Sequence, residues 1–194
     1  STVIFSNRWQ QSLFEKAYKL DSQKSRIVEN FCGEREDSRE PEARVFMAGT
    51  RDIKLKNIDA LKRAFKVAQD EVKARGFEDI EFDTTKAVYD NFQERMRRSY
   101  AVVLTSLGDV SPSMIFDAIR VGTPFILTKE TGISDRVMEC AMFVDPKDEK
   151  DIAEKIIWIS DPKNRALQAQ KVRGFKWIHT WDDIGKEIVA IARV

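Results

Sequence analysis

Gly108-Asp109-Val110-Ser111-Pro112-Ser113-Met114-Ile115-Phe116-Asp117-Ala118-Ile119-Arg120-Val121-Gly122-Thr123-Pro124 is the stretch whose reading decides the fold. The apolar run Ala101-Val102-Val103-Leu104 leads into it and Phe125-Ile126-Leu127 leads out, so it reads as strand, loop, helix, strand, one βαβ unit. Ser111 before Pro112 predicts an N-cap followed by proline at the first helical position, where its missing N–H would have been unpaired in any case. The amides of Ser113 and Met114 then point out of the helix start, and the helix dipole adds partial positive charge there. An anionic group suits that place. Gly122 ends the helix and Pro124 forbids its continuation.

A second unit of the same kind begins at Val45-Phe46-Met47-Ala48 and continues through Gly49-Thr50-Arg51-Asp52-Ile53-Lys54-Leu55-Lys56-Asn57. A helix is predicted over 58–74, with Leu61, Ala64, Phe65, Ala68 and Val72 on its inner face and Asn57 as its N-cap. Arg51 and Lys56 therefore stand beside another helix mouth, with Lys54 as a substitute. Two mouths and two cations suit a diphosphate, because charge-assisted hydrogen bonds are the stronger kind. A lone loop lysine, by contrast, is usually only a solvated charge.

Further apolar runs at 101–104, 125–127 and 141–144 alternate with helices predicted over 88–99 and 149–160 and one or two more within 163–194. Continuous apolar strands are buried on both faces, which predicts an α/β fold: a Rossmann-like parallel sheet with helices on both faces. Asp79-Ile80-Glu81-Phe82-Asp83 alternates instead, the pattern of an edge strand protected by charge rather than of a metal site. Ligands of such sheets bind at the carboxyl ends of strands. Arg51, Lys56, Asp109, Asp117 and Thr131 all follow strand ends. Residues 34–44 are a charged tract without apolar period, expected to be a solvated linker with no chemistry of its own. Arg95, Arg97 and Arg98 are expected to complement a helix dipole. Trp177, Trp181, Ile184 and Ile188 form a stripe expected to pack in the core or between domains, and His179 takes no catalytic role without a substrate pose.

The 194 residues carry 33 Lys and Arg against 32 Asp and Glu, a formal charge of +1. That balance selects neither nucleic acid nor an anionic membrane as partner. Cys32 and Cys140 lie far apart with no Cys-x-x-Cys and no histidine cluster, so neither a metal site nor a disulfide framework is expected, and a reducing cytoplasm is the expected location. No integral membrane segment is expected, because no apolar stretch approaches the ~20 residues that a membrane helix needs. No signal peptide is read at the start either. Beginning at Ser1 and not Met, the sequence is expected to be a processed or excised piece.

Asp109 and Asp117, in the arrangement acid-x-Ser-Pro, acid-Ala, Gly-x-Pro, resemble the Glu-x7-Glu signature of retaining GT-B glycosyltransferases of the group 1, family 4 type. Both acids are Asp here, each shorter than the usual Glu by one C–C bond, about 1.5 Å. The resemblance implies a C-terminal, donor-binding half of a GT-B fold that takes a nucleotide-diphosphate sugar for transfer with retention. By resemblance Asp109, the catalytic position, would hold the sugar hydroxyls and Asp117 the ribose hydroxyls. Ser111, the Ser113 and Met114 amides, Arg51 and Lys56 would line the diphosphate, and Thr131-Gly132 would bring backbone toward it. The Gly-rich loop and extra strand usual in the family are not visible.

The same resemblance divides the chain. Residues 1–33 would be the tail of an acceptor domain and the interdomain crossing, with Ser6 at the family's strand-end serine. Residues 34–44 would be the linker, 45–176 the donor-binding domain, and 177–194 a C-terminal helix packing back on it or toward the acceptor half. The expected activity is that of a hexosyltransferase without cofactor or metal, the isolated chain lacking its N-terminal acceptor domain and transferring nothing alone. The acceptor, whether glycan, lipid or small molecule, is not specified. Two rivals stand beside this reading: a non-catalytic nucleotide- or phosphate-binding module derived from such an enzyme, and a GT-B sugar-nucleotide epimerase. On the residues alone, a loop aspartate before a helix equally serves as a dipole-compensating charge.

Overall fold

The strands form two parallel sheets. The structure, a computed structural model, describes residues 2–36, 39–49, 54–85 and 89–193. The N-terminal sheet pairs β1 (Val3–Phe5) with β2 (Ser25–Ile27) across α1 (Arg8–Tyr18). The larger sheet holds β3 (Val45–Ala48), β4 (Glu81–Asp83), β5 (Ala101–Leu104), β6 (Phe125–Thr128) and β7 (Met142–Val144). Its order is β4-β3-β5-β6-β7 and every pairing is parallel. All residues of β5 and β6 are buried, as strands covered on both faces require. The charged β4 sits at the edge.

Alternation along the strands sends side chains to two separate cores. Phe46, Ala48, Ala101 and Val103 join Leu61, Phe65, Ile152 and Ile156 beneath α2 (Ile58–Ala74) and α6 (Glu149–Ser160). Met47, Val102 and Leu104 join Met96, Ile115 and Ile119 beneath α3 (Tyr89–Arg98) and α4 (Ser113–Val121). Cys32 and Cys140 lie in this second core as free thiols, and burial pushes them up to about 11 and about 12. After β6 come the short α5 (Ser134–Val137), then α7 (Pro162–Gly174) and α8 (Trp181–Ala192), so residues 163–194 supply two helices.

From β3 the chain steps outward to β4, then crosses back to β5 and continues to β7 on the other side. The order therefore reverses between β3 and β5. The loops after those two strands flank the crevice where such sheets bind ligands.

Two expectations gain detail. The 34–44 tract is mostly exposed among its described residues, as a solvated linker is expected to be, but its charges are paired: Glu36 with Arg97 and Arg120, Glu40 with Arg165 and Arg173, and Arg39 with Glu94. Opposite charges on α3, α4 and α7 make it a strap across the domain. The aromatic stripe is core only at Trp177, which packs against the second core, whereas α8 has no buried residue and Trp181 is 69% exposed. Trp181 stacks on Phe31 at 5.1 Å between ring centroids, and Trp177 meets Phe116 edge-on. Among the described residues no helix is long and apolar enough to cross a membrane.

Candidate functional site

The loops after β3 and β5 are joined directly. The Leu107 amide donates to the Leu55 carbonyl at 2.8 Å, and a Cβ on Gly49 would lie 3.5 Å from Met114 Sδ. Residues 54–56 form one 3-10 turn that carries Lys56 inward, where Nζ lies 2.6 Å from Asp109 Oδ2. Lys54 is exposed. Asn57 is the N-cap of α2 by position, but its side chain makes no cap bond. It adopts left-handed φ 56 and reaches sideways, Nδ2 donating to the Pro146 carbonyl at 2.6 Å. Its own carbonyl accepts from Leu61. Arg51 lies outside the described residues.

Asp109 is held by its backbone as well. Its amide donates to Glu130, and the Gly132 amide donates to the Asp109 carbonyl at 3.0 Å, a parallel bridge between Asp109 and Thr131. The next two residues are tied from the N-terminal segment: Asn7 Nδ2 donates to the Val110 carbonyl at 2.7 Å, and Asn30 Nδ2 to Ser111 Oγ at 2.6 Å.

The start of α4 differs by one position from the expected one. Pro112 is the N-cap, with ψ 99 and no side-chain cap bond, and Ser113 is the first helical residue. Ser111 is not the cap. Its hydroxyl serves as acceptor for Asn30 instead. The first bond inside the turn runs from the Ile115 amide to the Pro112 carbonyl, so the Ser113 and Met114 amides precede it at the helix mouth.

Asp117 is four residues further on, about 6 Å along the axis at 1.5 Å per residue. It is buried, and Oδ1 accepts from Gln93 Nε2 and Arg120 Nη1, each at 3.1 Å. Arg120 in turn meets Glu36 of the strap, which also pairs with Arg97. The Arg97 hydrogen bond holds the Glu36 carboxyl below its ordinary value; partial burial opposes this and the Arg120 charge assists.

The amides of Thr131 and Gly132 are already engaged, with Lys129 and Asp109, because the turn closes on the Asp109 loop. What Thr131 retains is its hydroxyl. Among the described residues, Thr131 Oγ1, Thr105 Oγ1 and Ser106 Oγ are buried without a hydrogen-bond partner, and all three follow the ends of β5 and β6. Ser6, at the end of β1, donates to Gln10 Oε1, while Asn7 caps α1. His179 pins the crossing, its backbone paired with Cys32 and its ring against the Asn30 carbonyl and Glu187.

Sequence reasoning passed over Asn7, Asn30, Gln93, Arg120 and Glu36. Asparagine just ahead of a helical period is an N-cap signal, which points to Asn7. Arg120 stands three residues after Asp117 on one helix, a spacing that brings opposite charges together and could have pointed to it. Asn30, Gln93 and Glu36 act across larger sequence separations that no local pattern marks.

The sequence profile described as "Glycosyl transferases group 1" matches residues 26–161. No curated protein sequence matches the chain. Among solved structures, sucrose-phosphate synthase from Thermosynechococcus elongatus aligns with a TM-score of 0.71 at 13% identity, over 99% of this chain and 57% of that one. HepE from Anabaena, in complex with UDP and glucose, aligns at 0.75 and 16% identity, over 100% of this chain and 63% of that one. TarM from S. aureus, in complex with Fondaparinux, alpha-GlcNAc-glycerol and UDP, aligns at 0.76 and 14%, over 100% and 44%. The likeness shows a shared fold, the α/β Rossmann-like architecture of GT-B glycosyltransferases. The chain spans about half of the lengths of the proteins that it resembles.

Proposed function

The chain belongs to the group 1 glycosyl transferases, and on that footing we propose that it is the donor-binding half of a retaining enzyme that takes a nucleotide-diphosphate sugar. The observation that carries the proposal is the convergence of Lys56, Asp109 and the α4 mouth at the reversal of strand order. In this reading the diphosphate lies on the Ser113 and Met114 amides with Lys56 beside it. An ammonium has three donors, so Lys56 can keep Asp109 while it bonds a phosphate oxygen. The helix dipole and Lys56 then stabilise charge as the nucleotide leaves, the part that metal plays elsewhere. Thr105, Ser106 and Thr131 offer unpartnered hydroxyls at the floor of the same crevice.

Asp109 holds the sugar hydroxyls and Asp117 the ribose hydroxyls, the latter with its orientation set by Gln93 and Arg120. The N-terminal segment, with β1, α1 and β2, is the tail of the acceptor half. Its two-stranded parallel sheet and the exposed Leu13, Phe14 and Tyr18 support this, since parallel sheets are normally covered on both faces. The acceptor half would complete the enzyme, and the chain alone would bind donor without turnover.

Titration of the chain with uridine, guanosine and adenosine diphosphate-sugars, followed by NMR and calorimetry, tests this. UDP-glucose is the first probe, given UDP in the HepE and TarM complexes. Asp117→Ala is expected to weaken nucleotide binding by about tenfold or more, since hydrogen bonds to charged groups contribute ~1.5–3 kcal/mol. No binding by any of the three nucleotides would end the reading, and unchanged affinity in Asp117→Ala would remove that residue from the site.

A further inference from the structure

Asp109, Val110 and Ser111 are each gripped by a different side chain, and two of the three grips come from the N-terminal segment. We propose that Asn7 and Asn30 are positioning residues for the Asp109 loop, so that the placement of this carboxylate depends on residues 2–30. The proposal rests on the donor-site reading for its consequence but on the geometry alone for its physical content.

Asn7 is 6% exposed and both ends of its amide are committed. Oδ1 accepts from the Gln10 amide at 2.8 Å, capping α1, and Nδ2 donates to the Val110 carbonyl at 2.7 Å. A carbonyl only accepts and an amide N–H only donates, so the side chain has one workable orientation. The contact is also tight. A Cβ on Gly132 would come within 2.4 Å of the Val110 carbonyl oxygen and 2.5 Å of Asn7. Only glycine fits between them, and the Gly132 amide closes the ring by donating to Asp109. Asn30, on the crossing after β2, adds the second tie through the Ser111 hydroxyl, immediately ahead of the Pro112 cap. A displacement of β1, α1 and β2 would therefore pull on Val110 and Ser111, and through them on Asp109. The acid that meets the sugar is in this way coupled to the element that leads toward the acceptor half.

Chemistry separates this role from plain structural support. Asn7→Asp keeps the cap, since aspartate caps helices as well as asparagine does, but it has no donor for Val110. Asn30→Asp behaves differently, because the Ser111 hydroxyl can turn and donate to the new carboxylate. Asn30→Ala loses the tie outright. Amide hydrogen exchange by NMR on the whole chain reads the loop at Asp109 and Gly132 and the cap at Gln10, and UDP-glucose titration reads the site.

In Asn7→Asp the Asp109 and Gly132 amides are expected to exchange about tenfold faster while Gln10 stays protected, with UDP-glucose affinity lowered about fivefold. Asn30→Ala should follow it, and Asn30→Asp should keep the exchange rates of the unaltered chain. Unchanged exchange at Asp109 and Gly132 in Asn7→Asp would overturn the proposal. So would equal acceleration at Gln10, which would make Asn7 a helix cap alone. If the unaltered chain binds none of the three nucleotide-sugars, the donor-site reading fails while the exchange data still decide the role of the two asparagines.

Discussion

Lys56 Nζ and Asp109 Oδ2 lie 2.6 Å apart although 53 residues separate them, and their side chains are only 20% and 13% exposed. A pair so shielded from water retains most of its attraction, unlike surface pairs, which contribute little. It locks the loop after β3 to the loop after β5. The two members nevertheless face different parts of the donor. Lys56→Gln removes charge from the diphosphate, and a tenfold or greater loss of affinity is expected for UDP and UDP-glucose alike. Asp109→Asn leaves the ammonium free for phosphate, so UDP should bind as well as before, while the advantage of UDP-glucose over UDP disappears. Calorimetry with both ligands separates the two. A parallel loss in Asp109→Asn would mean that the aspartate serves only to hold Lys56.

Gly132 makes a second demand on the same loop. A methyl group there would meet the Val110 carbonyl at 2.4 Å, and backbone cannot swing aside as a side-chain tip can. Gly132→Ala should therefore push the Asp109 loop outward. Overpacking of this kind costs about 1–3 kcal/mol, which lowers the melting temperature by about 2–4 °C per kcal/mol in a chain of this size. Thermal denaturation followed by circular dichroism checks it. At Gly108, where an added Cβ meets nothing within 4 Å, alanine should leave the melting temperature within about a degree.

Much of this architecture is legible in the sequence because burial on both faces writes itself as unbroken apolar runs. Val102, Val103 and Leu104, or Ile126 and Leu127, are unbroken apolar runs, and β5 and β6 fall where those runs are. Gly122 at φ 72 and the charged edge strand Glu81–Asp83 were equally plain. The Lys56 and Asp109 loops could be placed because strand ends share one side of a parallel sheet. Partners fixed by long-range contact were not legible. The Ser111 hydroxyl accepts from Asn30, 81 residues earlier, and nothing in a Ser-Pro dipeptide announces it. The pairing of the strap is hidden for the same reason: nothing in Glu34-Arg35-Glu36 announces that Glu36 meets Arg97 and Arg120. The open stripe of α8 shows the converse. Periodicity reveals that a helix has an apolar face but not whether this chain contains what would cover it.

Glu36 gives the strap a pH dependence with a definite sign. Its carboxyl is held below the ordinary value of 4.5 chiefly by the Arg97 hydrogen bond. A carboxylate that is easier to ionise in the folded chain than in the unfolded one stabilises the fold above the ordinary value. That contribution is lost as pH falls from about 4.5 through the lower folded value. With the side chain 28% exposed, solvent screening limits it to about 1 kcal/mol. Glu36→Gln should consequently melt about 2–4 °C below the unaltered chain at pH 7. The gap should narrow below pH 4.5 and close once Glu36 is protonated in both states. Asp117 supplies a control on the route. Arg120 bonds both Glu36 and Asp117, so releasing it from Glu36 should also loosen Asp117 and reduce nucleotide affinity at neutral pH by a few-fold. Melting curves between pH 3 and 7 measure the first effect and calorimetry the second. A constant gap across that range would show that the glutamine acts through packing rather than through charge.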